Sequence, residues 1–319
     1  MPAEYKATVA ICTYNGASRV AAVLVALARQ TLSPDDWELL VIDNASNDGT
    51  TEIAQRLIAD LLGGRGRVVR EPQPGLSFAR ARAAKEARGE ILCFLDDDNI
   101  PNPEFVANTV QAFLAHPRAG ALGGKVLPVW ETPPSALAQA VQDFALAICD
   151  RGEEAFRYER ELGPVGAGLC IRTEVLRQIY QNEEIAGSVV GRTGNGFGGG
   201  EDLAIAILVW QADFECWYEP ALVIRHVLAA RRMQKDYLER LYEGIGRGQA
   251  TVRRLHDWKA RTPLAWLIAL KDFCRWQLGR WRGPSTKLQH QQPELAGDLH
   301  DLKQRLVWGR AIQALRLFP

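Results

Sequence analysis

Short apolar runs alternate with segments of helical periodicity over the first hundred residues. The apolar runs cover residues 7–12, 38–42, 67–70 and 91–95, and their β-branched and aliphatic composition is typical of buried strands. Between the first two runs, apolar residues recur at helical spacing from Val20 to Leu27, and Ser18 can cap that helix. This alternation predicts an α/β fold with a Rossmann-like, mostly parallel central sheet that is flanked by helices.

The remaining part of the chain follows a less regular pattern. It predicts strands over residues 121–126, 166–171 and 217–226, a loop over 128–134, and helices over 105–114, from Thr173 and over 201–211. Residues 187–200 contain seven glycines, which is typical of a mobile loop that closes over a ligand. From Asp236 onward the pattern is helical, so we expect a helical C-terminal extension.

Polar clusters follow three of the predicted strands at the point where each strand ends. They are residues 13–15 (Thr-Tyr-Asn), 43–44 (Asp-Asn) and 96–99 (Asp-Asp-Asp-Asn). Ligands bind at the carboxyl ends of the strands in parallel α/β sheets. We therefore expect the three clusters to share one edge of the sheet and to form one site.

The consecutive carboxylates Asp96, Asp97 and Asp98 are the strongest chemical signal. Adjacent carboxylates repel one another unless a cation or several donors neutralise them. Hard oxygen ligands of this kind suit Mg²⁺ or Mn²⁺, with diphosphate oxygens completing the coordination shell. The structural alternative is a turn in which one Asp caps a helix at Pro101 or Pro103, and this explains one carboxylate but not three.

Single residues near this edge are less specific. Asp43 can accept hydrogen bonds from a ribose or a base, but its sequence context is also that of an ordinary turn. Tyr14 can cover a base or simply the edge of the sheet. Arg80 lies on a predicted helix and carries a guanidinium suited to phosphate, although surface arginines on helices are common.

A second acidic cluster follows the glycine-rich segment. Gly199 and Gly200 lead into Glu201 and Asp202 at the start of a helix, where the helix dipole favours carboxylates. A capping function is one interpretation, and a general base acting on an acceptor hydroxyl is the other. His226 is either structural or a supplement to carboxylates on a divalent ion.

Composition is that of an ordinary globular protein of 319 residues, with 47% hydrophobic residues, 24% charged residues and zero formal net charge. The six cysteines are scattered and form no CxxC pair, which argues against a cysteine zinc site and favours buried thiols in a reducing compartment. No apolar run approaches the ~20 residues that span a bilayer, and residues 1–6 contain no apolar signal region. We therefore expect a cytoplasmic protein.

The C-terminal extension is basic and contains one amphipathic pattern. From Arg225 to the last residue, 19 Lys and Arg stand against 8 Asp and Glu. Residues 264–282 place Trp, Leu and Phe on one arc of a helix and basic residues opposite. Such a helix either packs on the rest of the protein or rests on the inner membrane surface at the cytoplasmic face. No recognised motif indicates nucleic-acid binding.

In order and spacing, these segments resemble glycosyltransferase family 2. The resemblance covers roughly residues 8–232 and rests on CTYNG, VIDNASNDGT, PGLSFARARAAKEARGE, FLDDDNIPNPEF and GGGEDLAIAI. It implies the GT-A fold and the inverting transfer of a sugar from a nucleotide-sugar, with UDP as the expected nucleotide, to an acceptor hydroxyl. Ala81 stands where many members carry Asn, so the resemblance does not extend to the donor contact of that residue. The hydrophobic C-terminal span of processive members is missing, which favours transfer of a single sugar.

The resemblance also implies a function for each candidate residue. Asp202 would be the catalytic base, and Glu201, Gly199 and Gly200 would bind the acceptor. Mn²⁺ or Mg²⁺ would be ligated by Asp98 and His226. The nucleotide would be bound by Thr13, Tyr14, Asn15, Asp43, Arg80, Asp96 and Asp97.

The expected organisation is a catalytic domain over residues 1–232 and a helical extension over 233–319. The catalytic domain divides into a nucleotide-binding half, 1–103, and an acceptor-binding half, 104–232. The expected partners are the donor and a saccharide or lipid-linked acceptor, by family habit in bacterial polysaccharide or glycolipid biosynthesis. Two other functions stay open: a nucleotidyltransferase acting on sugar phosphates, and a catalytically inactive scaffold that binds sugar nucleotides.

Overall fold

The computed structural model describes residues 3–181, 199–256, 274 and 293–317. Strands and helices alternate in its first part. The elements are β1 (Tyr5–Thr13), α1 (Val20–Leu27), β2 (Trp37–Asn44), α2 (Thr50–Leu62), β3 (Arg67–Glu71), α3 (Leu76–Glu86) and β4 (Gly89–Asp96). This alternation is the one that the apolar periodicity predicts.

The elements after Asp96 are more varied in length and order. They are β5 (Asn99–Pro101), α4 (Phe105–Ala115), β6 (Ala119–Trp130), α5 (Ala136–Ala145), β7 (Phe156–Arg157), β8 (Cys170–Arg172), α6 (Thr173–Gln181), α7 (Glu201–Gln211), β9 (Glu215–Leu228), α8 (Lys235–His256) and α9 (Ala296–Leu317). The predicted loop over 187–200 lies outside the described residues, except for Gly199 and Gly200.

Within the described ranges, nine strands form one sheet in the order β3-β2-β1-β4-β8-β6-β9-β5, and β7 pairs with β9. Strands β3, β2, β1 and β4 are parallel, as expected. The other half is mixed, because β8 runs antiparallel to β4 and β6 while β6 and β9 are parallel. The registers Thr13↔Asp43 and Cys12↔Asp96 bring the ends of β1, β2 and β4 to one edge.

The parallel half of the sheet is buried on both faces. Along β1, Val9 and Ile11 pack into one hydrophobic cluster, and Ala10 and Cys12 pack into the other. Successive side chains of a strand point to opposite faces, so a strand covered by helices on both sides is apolar at every position. This packing explains why the strand runs lack a polar alternation.

Three local predictions were wrong. Helix α1 begins at Val20 with Arg19 as its N-cap residue, so Ser18 does not cap it, because the Gly16 carbonyl closes a turn onto both Arg19 N and Val20 N. Residues 128–130 belong to β6, because β9 continues to pair with that strand up to Trp130. Strand β8 begins at Cys170 rather than residue 166, because Gly168 adopts a left-handed conformation with φ of 73°.

Helices α8 and α9 form a closely packed pair beyond the sheet. A Cβ atom at Gly246 would clash with the backbone of Leu306, and one at Gly309 would clash with the backbone of Glu243. An ion pair between Lys235 and Asp298 at 2.6 Å joins the same two helices. The boundary at residue 232 stays a prediction.

The amphipathic helix predicted over 264–282 lies outside the described residues, apart from Cys274. None of the helices in the described ranges has the length and apolarity needed to cross a membrane.

Candidate active site

A cavity of about 440 Å³ opens at the carboxyl ends of β1, β2 and β4. Its floor contains residues from the three predicted polar clusters, and its opposite side is formed by the start of α7. Helix α8 and the end of α5 complete the wall. The lining residues most relevant to chemistry are Thr13, Tyr14, Asn44, Arg80, Asp96, Asp97, Asp98, Glu201, Asp202, His226 and Arg232.

Asp96 ends β4, and Asp97 and Asp98 form the tight turn that leads to β5. Asn99 supports this turn, since its Oδ1 accepts from Asp96 N at 3.2 Å and its Nδ2 donates to Asp98 Oδ1 at 3.0 Å. A strand follows the turn and α4 begins only at Phe105, with no side-chain capping bond. The capping alternative for these carboxylates is therefore wrong.

Asp96 lies at the end of β4 and faces the cavity. Burial raises the pKa of its carboxyl group, and the neighbouring charge of Asp98 raises it further, while the cation of Arg80 lowers it. Like charges held close together in a desolvated position resist simultaneous ionisation. The position therefore favours a cationic ligand.

Asp97 is held by the loop that follows β1. Its Oδ2 accepts from the Thr13 hydroxyl at 2.6 Å, and Arg19 donates to both carboxylate oxygens at 2.8 and 2.9 Å. Gly16 is required beside this group, because a Cβ atom there would clash with the side chains of Thr13 and Asp97. Nucleotide binding by Thr13 and Asp97 stays a prediction, and the observed contacts give both residues a structural function.

Asp98 is paired with His226 and Arg232. Arg232 Nη2 donates to Asp98 Oδ2 at 2.8 Å, and His226 Nε2 lies 3.6 Å from Asp98 Oδ1. Burial alone would raise the pKa of Asp98, but the hydrogen bonds and positive charge around it hold that pKa well below its usual range. Asp98 and His226, which the sequence analysis assigned to one site, therefore lie together. Strand β9 places His226 opposite Asn99 of β5.

The described residues contain no group of three or more His, Cys, Asp or Glu side chains arranged to hold a metal ion. Asp98 and His226 nevertheless offer one oxygen and one nitrogen ligand, and an ion bonded to both at ~2.1 Å can span their separation. The atoms that would bond to it, His226 Nε2 and Asp98 Oδ1, lie 3.6 Å apart. The pair therefore fits the protein's share of a divalent site whose other ligands come from a bound substrate.

The predicted base-binding residues lie around the ends of β1 and β2. Tyr14 lines the cavity and is 45% exposed. Asn15 has a φ of 49° and locks the two loops together, because its N donates to Ser46 Oγ and its Oδ1 accepts from Asn47 N. Asp43 is buried beneath the loop and accepts from Ser46 N at 3.0 Å and from the Thr51 hydroxyl. Base binding by these three residues stays a prediction.

Arg80 lies at the back of the cavity and pairs with an acid of the second cluster. Its Nη1 is 3.4 Å from Glu201 Oε2, its Nη2 donates to the Gly166 carbonyl at 3.3 Å, and its guanidinium lies 5.2 Å from the ring centre of Phe94. Tyr180 donates to Glu201 Oε1 at 3.3 Å. Burial raises the pKa of Glu201, and Arg80 opposes that shift.

Gly199 and Gly200 bring the second acid pair to the cavity. Gly200 has a φ of 87°, which favours glycine, and a Cβ atom on Gly248 of α8 would clash with Gly199. Asp202 Oδ2 accepts from Gly166 N at 3.2 Å, and its Oδ1 accepts from Leu203 N at 2.9 Å. Asp202 lies in the first turn of α7, and its contact with Leu203 N supports the start of that helix. This contact does not exclude a catalytic function for Asp202, which stays a prediction.

Sequence reasoning missed one wall of the cavity. Helix α8 contributes Tyr237, Leu241, Ile245 and Gln249, and Phe144 at the end of α5 is 48% exposed. A spacing of four residues along α8 is the signal of one helix face and could have indicated this wall. Arg232 could have been recognised from its closeness in sequence to His226. Nothing in the sequence indicated that Arg19 belongs to the site.

A sheet of this order, flanked by helices, has the GT-A fold. The model of glycosyl transferase family 2 matches residues 8–180, which is more than half of the chain. The chain belongs to glycosyltransferase family 2.

Relatives that match this chain are named as glycosyltransferases. The glycosyltransferase AglE of Haloferax volcanii is 34% identical over 103 residues, which are 32% of this chain and 34% of that protein. The glucosyl-dolichyl phosphate glucuronosyltransferase of the same organism is 22% identical over 240 residues, 73% of this chain and 72% of that protein. The matches to the first curated relatives span about a third of their length or less.

The fold is also that of a solved glycosyltransferase. The mannosyltransferase PcManGT from Pyrobaculum calidifontis, in complex with GDP-Man and Mn²⁺, superposes with a TM-score of 0.62 at 18% identity. The superposition covers 100% of this chain and 92% of that one. This likeness confirms the predicted fold class.

Proposed function

We propose that this protein transfers a single sugar from a nucleoside-diphosphate sugar to an acceptor hydroxyl, with inversion at the anomeric carbon. The observation that carries the proposal is that Asp96 and Asp98 face the same cavity as Glu201 and Asp202. A leaving diphosphate needs a cationic partner, and an attacking hydroxyl needs a base. One cavity offers a place for each.

The donor is proposed to lie over the ends of β1, β2 and β4. Tyr14 lines this side, and its partly exposed ring is available to a nucleotide. Asp98 and His226 would hold Mn²⁺ or Mg²⁺, and the bound ion would supply positive charge to the leaving diphosphate. The complex of PcManGT with GDP-Man and Mn²⁺ supports this part of the proposal.

The proposed transfer is a single displacement. The acceptor oxygen forms a bond to the anomeric carbon while the bond from that carbon to the diphosphate oxygen breaks, and the electron pair leaves with the nucleoside diphosphate. Asp202 takes the proton of the acceptor hydroxyl. Its two backbone hydrogen bonds, from Gly166 and Leu203, hold the carboxylate in position for this step.

The acceptor is proposed to be a saccharide or a lipid-linked saccharide that enters between α5 and α8. Glu201 lies next to the base and would bind acceptor hydroxyls, with Gly199 and Gly200 allowing close approach. The exposed ring of Phe144 and the apolar Leu241 and Ile245 would face the rest of the acceptor. A relative is named as a glucosyl-dolichyl phosphate glucuronosyltransferase, and the lipid-linked acceptor in that name supports a lipid-linked acceptor here. Such an acceptor would place the protein at the cytoplasmic face of the membrane.

A donor panel tests the proposal. Purified protein is incubated with UDP-, GDP- and dTDP-sugars, with and without Mn²⁺ or Mg²⁺, and released nucleoside diphosphate is measured. We expect metal-dependent release from one donor and its loss in Asp98→Ala. Failure of every donor to bind in calorimetry would favour the scaffold, and formation of a nucleotide-sugar from nucleoside triphosphate and sugar phosphate would favour the nucleotidyltransferase.

A further inference from the structure

Arg232 lies between the two side chains that would ligate a divalent ion. It comes from the 3₁₀ turn Ala230–Met233, which directly follows β9. Its Nη2 donates to Asp98 Oδ2 at 2.8 Å and its Nη1 lies 2.7 Å from His226 Nε2. The side chain is only 17% exposed, so the contact with Asp98 is not a solvated surface pair.

The contact with Arg232 occupies one ring nitrogen of His226. A guanidinium only donates hydrogen bonds, so Nε2 of His226 accepts from Arg232. The other ring nitrogen, Nδ1, is buried and has no partner among the described residues. The Nε2 lone pair, which a metal ion would need, is therefore already used by Arg232.

Both carboxylate oxygens of Asp98 are also hydrogen-bonded. Its Oδ1 accepts from Asn99 and its Oδ2 accepts from Arg232. The guanidinium thus supplies a positive charge to the same two side chains that a divalent ion would use, and it occupies the same nitrogen of His226. Two cations this close repel each other, so one must leave when the other binds.

We propose that Arg232 is a resident cation of the Asp98–His226 pair and excludes a divalent ion from it until a nucleoside diphosphate binds. The diphosphate gives the guanidinium a second anion in the same cavity, and the pair then becomes available to the ion. This inference rests on the proposed function, because it assumes a diphosphate ligand. It makes Arg232 a positioning residue that couples metal binding to donor binding.

The test is the affinity of the intact protein for Mn²⁺ alone, measured from the free-ion signal in electron paramagnetic resonance. We expect Arg232→Gln to bind Mn²⁺ at least tenfold more tightly than the wild type in the absence of nucleotide. Arg232→Ala should behave in the same way, and thermal unfolding establishes which variant is folded. The control is Arg231→Ala, which removes an exposed cation one residue away and should bind Mn²⁺ like the wild type.

Addition of UDP or GDP provides the second measurement. In the wild type the nucleotide that binds should tighten Mn²⁺ binding at least tenfold, and by linkage Mn²⁺ should tighten nucleotide binding by the same factor. In Arg232→Gln this coupling should be much smaller, because no cation has to be displaced. A merely structural arginine would change stability without changing the coupling.

Two results would overturn the inference. If wild type and folded Arg232→Gln bind Mn²⁺ equally well without nucleotide, Arg232 does not exclude a divalent ion from the Asp98–His226 pair. Absence of Mn²⁺ binding in every variant, with and without nucleotide, means that the pair holds no divalent ion. Neither result removes sugar transfer, which the donor panel measures separately.

Discussion

Two backbone amides hold the carboxylate of Asp202 in the cavity, and this geometry predicts a specific mutant phenotype. Asp202→Asn keeps the shape of the side chain but cannot take a proton. Loss of a general base costs roughly 10²–10⁴-fold in rate, so we expect transfer to fall by at least that factor while donor affinity stays within about twofold. The measurements are initial transfer rates and donor calorimetry.

Asp213→Asn is the matched control. Asp213 carries a side chain that is 99% exposed, and its φ of 62° is one that Asn tolerates well. This variant should transfer sugar at the wild-type rate. A normal rate in Asp202→Asn would assign the base to another group, with Glu201 the next candidate.

The buried position of Glu201 predicts that the stability of the protein depends on pH. Burial raises the pKa of its carboxyl group above the ordinary value of 4.5, although Arg80 opposes the shift. A raised pKa in the folded state stabilises the fold below 4.5, and that contribution is lost as the pH rises through the folded pKa. The free energy of unfolding of the wild type, relative to Glu201→Gln, should therefore fall as the pH is raised from 4.5 toward 7.

Urea unfolding across that pH range measures the effect, at about 1.4 kcal/mol for each unit by which the pKa is displaced. Glu90→Gln is the control, since Glu90 carries a largely exposed side chain that pairs with Arg172 at the surface. Its difference from the wild type should not change in this way. A difference that rises with pH for Glu201→Gln would mean that the ion pair with Arg80 outweighs burial.

At the scale of elements, the contact between α8 and α9 depends on glycine at two facing positions. Gly246→Ala or Gly309→Ala would push a Cβ atom into the backbone of the other helix. We expect each variant to lose about 1–3 kcal/mol of stability from overpacking. Urea unfolding measures this loss.

Gly297→Ala is the control for the helix pair. Gly297 also lies in α9, but no atom would approach an added Cβ there. Because Gly297 is the second residue of the helix and its surroundings are open, this change is expected to alter stability by no more than about 0.5 kcal/mol. Equal effects at Gly297 and Gly309 would mean that helix propensity, rather than the close approach of the two backbones, controls the result.

Helix α8 also connects this pair to the acids. Gly248 faces Gly199, so a side chain at position 248 would displace the segment that positions Glu201 and Asp202. Helix α8 is therefore part of what shapes the cavity, because Tyr237, Leu241 and Ile245 line it from this helix.

At the scale of the whole molecule, the pattern of thiol reactivity follows from burial. Five of the six free cysteines are buried, and Cys274 is exposed. Burial raises the pKa of Cys216 to about 12, and it raises the pKa of Cys12 further, so neither forms thiolate readily. A native thiol assay should therefore find one fast thiol per chain, and all six after denaturation.

Cys274→Ser should abolish the fast reaction and leave the slow thiols unchanged. A second fast thiol in the native protein would mean that the packing around one of the buried cysteines opens on the timescale of the assay. Because the buried cysteines lie in the packed sheet and beside it, this assay also reports whether the whole core is closed.

Local chain order was enough to predict the parallel half of the sheet and the shared edge at its strand ends. The apolar runs at β1, β2 and β4 have the spacing of strands, and right-handed crossovers leave their carboxyl ends on one side. The sequence alone identified four candidate acids, Asp96, Asp98, Glu201 and Asp202. Closely spaced carboxylates repel one another, so their presence after a buried strand or at a glycine-rich helix start indicates a functional site.

Tertiary packing alone decided which of those residues are free to act. Asp97 pairs with Arg19, Glu201 with Arg80, and Asp98 with Arg232, which is 134 residues away in the chain. Periodicity reports only which face of an element is apolar, whereas these ion pairs depend on how distant elements are brought together by the packed core. The acids of this protein can thus be identified from its residues, but their partners become visible only when the chain is folded.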